Sequence, residues 1–240
     1  MSEEVPLSGG HTTPEVMRIG ATVHRTPGPN SEFVADLLRH LERHGASVAP
    51  RYLGRDEQGR DVLEYIPGQT TDHPSQRDEA AYGQFGRLLR SLHDATAGHP
   101  LAQKSECVIH TDPGPYNVIF QDRLPATIID WDAARPGSRI WDVGYAAWTW
   151  CVTSTGGVPV QEQADRLVIL RAGYGDVDRE QLLSQIVECQ MFIADNARAQ
   201  LARSGESDAF YDHHRAAIAW ADADRRWFQE HLEIFRGRCD

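Results

Sequence analysis

His110, Asp112, Asn117, Asp130 and Asp132 fall within one stretch, Cys107 to Gly137, where each borders a short apolar run. Cys107 to Ile109 leads into His110-Thr111-Asp112. Asn117, five residues after Asp112, opens the run Val118 to Phe120, and Ala126 to Ile129 leads into Asp130-Trp131-Asp132. The pattern predicts strand, loop, strand, turn, strand, with the polar side chains gathered at one end. Phosphoryl transfer needs such a set. One carboxylate accepts the proton of an attacking hydroxyl, and an amide oxygen and a second carboxylate hold Mg²⁺ on the phosphates. Hard oxygen donors suit Mg²⁺, which keeps several waters and borrows further ligands from substrate phosphates. No single member of the set is diagnostic; the ordered set on strand ends is the signal.

The order His-x-Asp-x₄-Asn, then an Asp after a short hairpin, resembles the catalytic loop and metal-binding Asp of protein kinases. The wording, HTDPGPYN and then IDWD, is closer to the aminoglycoside phosphotransferase and choline kinase family. There the loop usually reads HGDxxxxN and the metal Asp lies in an IDWD- or IDFD-type turn. The resemblance covers nearly the whole chain, most firmly Leu63 to Gly68 and His110 to Gly144. It implies an α+β, protein-kinase-like two-lobe fold with a small β-rich N-lobe and a larger, mainly helical C-lobe. Residues 1–66 would form the N-lobe, with a nucleotide-binding sheet and one helix. Residues 67–240 would carry the catalytic loop and a helical acceptor-binding region. The same resemblance makes Asp112 the base or orienting group for the acceptor hydroxyl, and Asn117 and Asp130 the Mg²⁺ ligands. Asp132 either supports Asp130 or reaches a second metal. His110 fixes the loop through a backbone hydrogen bond, and Thr111 stands where the family usually has Gly. Asp142, in Trp141-Asp142-Val143-Gly144, would brace the catalytic loop.

The elements that must position this set can be read in order. Val16 to Ile19 and Ala21 to Arg25 alternate around Gly20 and predict a small hairpin. The family's nucleotide loop lies just ahead of it, which points to Ser8, Gly9 and Gly10, with Thr12 and Thr13 behind them, as backbone phosphate donors. The family's third strand ends in a Lys that holds the nucleotide phosphates. The matching position here is Arg25, with Arg18 as the other possibility, because the chain's single lysine is Lys104. Guanidinium binds phosphate well and stays charged. Ser31 predicts a cap for a helix from Glu32 to His44, ended by Gly45. The helix Glu that pairs with the strand Lys in kinases maps near Val34, which cannot do so; Glu32 and Asp36 flank it. Leu63 to Gly68, LEYIPG, resembles the hinge between lobes, with Glu64, Tyr65 and Ile66 presenting backbone groups to a nucleobase. Asp78 to Ala97 is amphipathic. Beyond Gln161 the pattern predicts helices over Glu162 to Ala172, Arg179 to Ala202 and Asp208 to Phe235. Glu188, Asp195, Asp212, Asp222 and Asp224 on them could meet a cationic acceptor or simply be solvated.

Composition limits the partners. The 240 residues carry a formal net charge of −11, which disfavours nucleic acid. Cys107, Cys151, Cys189 and Cys239 are scattered and predict reduced thiols. No apolar run reaches bilayer length, and Met1 to Gly10 does not read as a leader. The expectation is a cytoplasmic enzyme without a membrane, using Mg²⁺ and ATP or GTP on a small-molecule acceptor. An aminoglycoside or similar amine-bearing alcohol leads the acceptors, with choline or another small alcohol next. The rival reading is a degenerate, pseudokinase-like nucleotide-binding module acting through a partner, which the missing lysine favours and the joint presence of Asp112, Asn117 and Asp130 opposes. A metal hydrolase using His110 and Asp112 lacks a second His at ligand spacing.

Overall fold

The computed structural model describes residues 4–7, 16–71, 73–204 and 210–238. The chain groups into two compact units, one of residues 1–72 with 88–139, the other of residues 73–87 with 140–240.

The first unit holds an antiparallel sheet in the order β1-β2-β3-β5-β4. Its strands are β1 (Glu4–Pro6), β2 (Met17–Ile19), β3 (Thr22–Arg25), β4 (Tyr52–Arg55) and β5 (Asp61–Glu64). The hairpin predicted around Gly20 is β2–β3, and its register sets Arg25 opposite Asp61 across β3 and β5. Helix α1 (Ser31–His44) buries Ala35, Leu37, Leu38 and Leu41, the positions that the helical repeat places on one face. Gly45 ends it in the left-handed conformation. Its start departs from expectation. The cap position is Asn30, which makes no side-chain cap bond. Ser31 instead turns its hydroxyl inward and donates to Asp61 Oδ2 at 2.5 Å. Tyr52 Oη and Arg55 Nε donate to Asp61 Oδ1 at 3.0 and 3.1 Å, so the buried carboxylate is satisfied by three side chains from α1 and β4 and ties α1 to the sheet.

The same unit contains the chemistry-bearing stretch. Strand β6 (Cys107–Ile109) pairs with β9 (Arg135–Gly137), and β7 (Val118–Gln121) pairs with β8 (Leu124–Ile128). The predicted strands are present, but as two separate two-stranded ribbons rather than one run. The β7–β8 ribbon is joined to the chain around it by backbone bonds, Ile128 N–H to Val48 O and Ile129 N–H to Asn117 O, both 2.8 Å. Gln69 and Phe120 exchange a further pair. Gly68 permits that approach: at φ 147° a Cβ would run into the Phe120 carbonyl and the Ile119 side chain.

In the second unit, α3 (Arg139–Cys151) carries the run Val143 to Cys151, buried at nearly every position. That periodicity was masked in the sequence by its apolarity on all sides. Helices α4 (Val160–Tyr174) and α5 (Arg179–Ser204) follow the predicted spans, and α5 packs against α6 (Tyr211–Glu230). The single helix expected from Asp208 to Phe235 is two. His231 breaks it (φ −108°, ψ 8°), and α7 (Leu232–Arg238) follows. Helix α2 (Ala80–Thr96) runs through both units. Among the described residues no helix is long and apolar enough to cross a membrane. Cys107, Cys151 and Cys189 are buried thiols outside any disulfide, and burial pushes the Cys189 thiol up to about 12.

Candidate active site

A cavity of about 440 Å³ lies within the first unit, inside the range of roughly 300–1,000 Å³ common for ligand clefts. Its wall includes Arg25, Glu64, Tyr65, Ile66, Tyr116, Asn117, Asp130 and Asp132. Thus most of the residues singled out in the sequence meet at one place. Ser8, Gly9 and Gly10, with Thr12 and Thr13, lie outside the described residues.

Asp112 sits half-buried in the loop after β6. Asn117, five residues on, reaches back to it: Nδ2 donates to the Asp112 carbonyl at 3.0 Å and to Oδ2 at 3.1 Å. Both contacts use the amide nitrogen, so the amide oxygen remains as an acceptor. Asp130 follows β8 in the left-handed conformation, φ 63° and ψ 63°, where Asp is among the few side chains tolerated. Burial, reinforced by the neighbouring Asp132 carboxylate, raises its carboxyl above the ordinary range, and His110 and Arg25 offset this only in part. A carboxyl whose charge is disfavoured, near a second acid and lining one cavity with an amide side chain, is a hard-oxygen donor set that gains from a cation. Asn117 and Asp130 therefore fit Mg²⁺, which would bridge and neutralise nucleotide phosphates if bound there.

His110 is fully buried. Its Nε2–H donates to Ile129 O at 2.9 Å, and its ring meets Trp131 edge to face at 4.8 Å. The contact joins the two loops, the role expected of it. Thr111, at the position where the resemblance implies Gly, carries a backbone suited to Gly. Its φ is 78°, a genuine outlier for a β-branched residue. Its hydroxyl reaches Ala133 O only at 3.4 Å. Thr111→Gly is expected to raise stability by about 0.5–1 kcal/mol, the relief of left-handed strain less glycine's extra unfolded entropy. Urea denaturation checks this, and a lower midpoint would refute it.

The structure separates the two arginines. Arg18 stacks on the Tyr65 ring at 3.8 Å and donates to Gly20 O, and it is absent from the cavity wall. Arg25 lines the cavity and forms an ion pair with Asp132. Glu32 and Asp36, which flank Val34, pair with Arg55 and Arg39 instead. The cation at the end of β3 is thus held from the Asp130-Trp131-Asp132 turn and not from α1. Asn30 strengthens the link by donating to Asp132 O and Ala134 O at 3.0 and 2.9 Å. Neither the Arg25–Asp132 pair nor the Asn30 clamp was foreseeable, since each joins residues more than a hundred positions apart.

At the expected hinge, the Glu64 and Tyr65 N–H groups are used internally, on Arg51 O and Ala21 O, both at 2.9 Å. Their carbonyls and the Ile66 backbone are what can meet a base edge. The Glu64 carboxylate bonds Arg51, whose hydrogen bond holds it below the ordinary range.

The acidic candidates of the second unit are mostly committed. Asp195 and Asp222 both pair with Arg198. Asp224 is buried and accepts from Trp148 Nε1 and Ser154 N–H at 2.9 and 2.7 Å. Tyr116 was missed altogether. Its hydroxyl donates to Asp112 Oδ1 at 2.7 Å; the only signal was a tyrosine placed four residues after the Asp.

A sequence profile for the "Phosphotransferase enzyme family" matches residues 6–105 and 94–181. The chain is 32% identical over 257 residues to the trifolitoxin immunity protein of Rhizobium leguminosarum bv. trifolii, covering 97% of each. Among solved structures, it resembles a choline/ethanolamine kinase family protein from Mesorhizobium loti, with TM-score 0.65, 20% identity and coverage of 98% of this chain and 92% of that one. It also resembles the streptomycin–ATP–APH(2″)-IIa ternary complex, with TM-score 0.61, 13% identity and coverage of 92% and 93%. The sheet-bearing unit with its paired loops and the helical remainder share this protein-kinase-like fold, and the chain belongs to the phosphotransferase enzyme family.

Proposed function

We propose that the chain transfers the γ-phosphoryl group of a magnesium nucleoside triphosphate, ATP or GTP, to a hydroxyl of a small molecule. The observation that carries this is that Asn117 and Asp130 line one cavity with Arg25 and the Glu64–Ile66 segment, while Asn117 Nδ2 holds Asp112 Oδ2 at 3.1 Å. In this reading Asp112 orients the acceptor hydroxyl and takes its proton, and Asn117 and Asp130 hold Mg²⁺. Arg25 replaces the family's lysine on the phosphates, and Ser8 to Gly10 cover them. Residues 1–66 act as the nucleotide lobe, with the hinge at Glu64 to Ile66.

An amine-bearing alcohol remains the first acceptor class, supported by the aminoglycoside bound in one structural relative. The commitment of Asp195, Asp222 and Asp224 to internal partners leaves Glu188 and Asp212 to meet its ammonium groups. The relative named for immunity to trifolitoxin favours a second acceptor class, a toxin bearing a hydroxyl. Nucleoside diphosphate release from ATP and from GTP, measured over a panel of amino sugars, small amino alcohols and hydroxylated antibiotics, tests the transfer. Release that depends on one acceptor class supports it, and release with none of them contradicts it.

Arg25→Ala is expected to weaken nucleotide binding about 10- to 100-fold, the worth of one or two charge-assisted hydrogen bonds. Calorimetry with Mg²⁺ and either nucleotide reads this directly. Unchanged affinity would remove Arg25 from the phosphate site.

A further inference from the structure

Tyr116 stands between the cavity and the proposed base. Its ring folds back over its own loop, across Gly114; a Cβ at that position would overlap the ring and its hydroxyl. The hydroxyl then donates to Asp112 Oδ1 at 2.7 Å, while Asn117 Nδ2 takes Oδ2 at 3.1 Å. Tyr116 lines the same cavity as Asn117 and Asp130, and its side chain is 39% exposed. A hydroxyl that donates to the base, beside the residues that would hold the metal–phosphate group, is placed as an acceptor hydroxyl must be. It is also more acidic than an alkyl alcohol, with an ordinary pKa of about 10.

We propose that Tyr116 is an internal acceptor: with no substrate present, the chain phosphorylates its own Tyr116 from a magnesium nucleoside triphosphate. The inference rests on the phosphotransferase reading of Asp112. The phenolic proton passes to Asp112 Oδ1 as Oη bonds to the γ-phosphorus. The bond from that phosphorus to the β,γ-bridging oxygen breaks, and a nucleoside diphosphate leaves. The product is a phosphotyrosine at the mouth of the site, where its charge would face Asp112, Asp130 and Asp132 and hinder a second nucleotide. Self-modification would thus silence an enzyme that has donor but no substrate.

The test is intact-mass and peptide mass spectrometry of the full chain after incubation with Mg²⁺ and ATP, without acceptor. Trypsin cutting after Lys104 and Arg123 gives a fragment with Tyr116 as its one tyrosine. One phosphoryl group is expected on that tyrosine and none on the other tyrosines. Tyr116→Phe is expected to lose the modification completely, and Asp112→Asn to slow it about a hundredfold or more. Melting curves confirm that both variants fold. An unmodified Tyr116 in a chain that binds Mg²⁺–ATP and turns over an acceptor would overturn the proposal and leave the phosphotransferase reading standing. An unmodified Tyr116 without Mg²⁺-dependent nucleotide binding would overturn both. Modification undiminished in Asp112→Asn would also overturn it, because Asp112 would then not be the group that takes the phenolic proton.

Discussion

Asp112→Asn is expected to slow phosphoryl transfer by about a hundred- to ten-thousandfold, the usual contribution of a positioned general base. The amide is the same size as the carboxylate but cannot accept the hydroxyl's proton. The fold should survive. In the native loop Tyr116 Oη and Asn117 Nδ2 both donate to the Asp112 carboxylate. The Asn amide can still accept from one of them, so the loss is about 1 kcal/mol of hydrogen bonding. The neighbouring constraints, His110 on Ile129 O and Asn117 Nδ2 on the backbone carbonyl of residue 112, do not involve the changed group. Nucleotide affinity should also be nearly unchanged, since Asp112 is not assigned to the metal or the phosphates. Single-turnover kinetics beside a calorimetric titration separates these effects. Wild-type turnover in the variant would sink the assignment of the base.

Asp130→Asn is expected to act in opposite directions on stability and on binding. Burial and the Asp132 carboxylate raise the Asp130 carboxyl in the fold. The folded state therefore holds this proton to a higher pH than the unfolded chain does, and stability falls as pH rises between the two values. Below the unfolded value of about 3.9 the group costs nothing; above its raised folded value the cost of the disfavoured charge is fully present. The amide carries no charge and tolerates the left-handed backbone of this position. In the absence of metal the variant should then melt higher than the wild type near neutral pH, with the difference shrinking as the pH is lowered toward 4. With Mg²⁺ and ATP the order should reverse. A ligand at a hundred times its Kd stabilises the wild type by about 2.7 kcal/mol, and the variant lacks the carboxylate that would anchor the metal. Melting curves across pH, with and without Mg²⁺–ATP, check both signs. A variant that melts lower at every pH would show that the ionised carboxylate is satisfied by the protein itself.

The site was largely legible because its members lie close in sequence. Asp112 follows the apolar run Cys107 to Ile109, Asn117 opens the run Val118 to Phe120 and Asp130 follows Ala126 to Ile129, so each falls at or near the end of a predicted strand. The hairpin β2–β3 and the end of α1 at Gly45 followed from local chemistry in the same way. What escaped depended on pairings that local pattern does not encode. Ser31 looked like a cap, but Asp61 from β5 offers its hydroxyl a buried partner. Arg18 and Arg25 looked alike until the Tyr65 ring claimed the first and Asp132 the second. The Asp residues of α5 and α6 looked solvated or available to substrate, whereas Arg198 and Trp148 hold three of them. Helix α3 went unassigned because burial on every side erases the amphipathic signal. The break at His231 went unseen because no Gly or Pro marks it.

In the proposed mechanism Asn117 and Asp130 hold Mg²⁺ against a nucleotide in the cavity beside Arg25. Calorimetric titration of ATP and GTP into the wild type and into Asp130→Asn, each with Mg²⁺ and with a chelator, tests it most directly. The wild type is expected to bind at least one nucleotide only when Mg²⁺ is present, and the variant to lose this dependence along with most of the affinity. Equal binding with and without Mg²⁺, or equal binding by the two proteins, would contradict it.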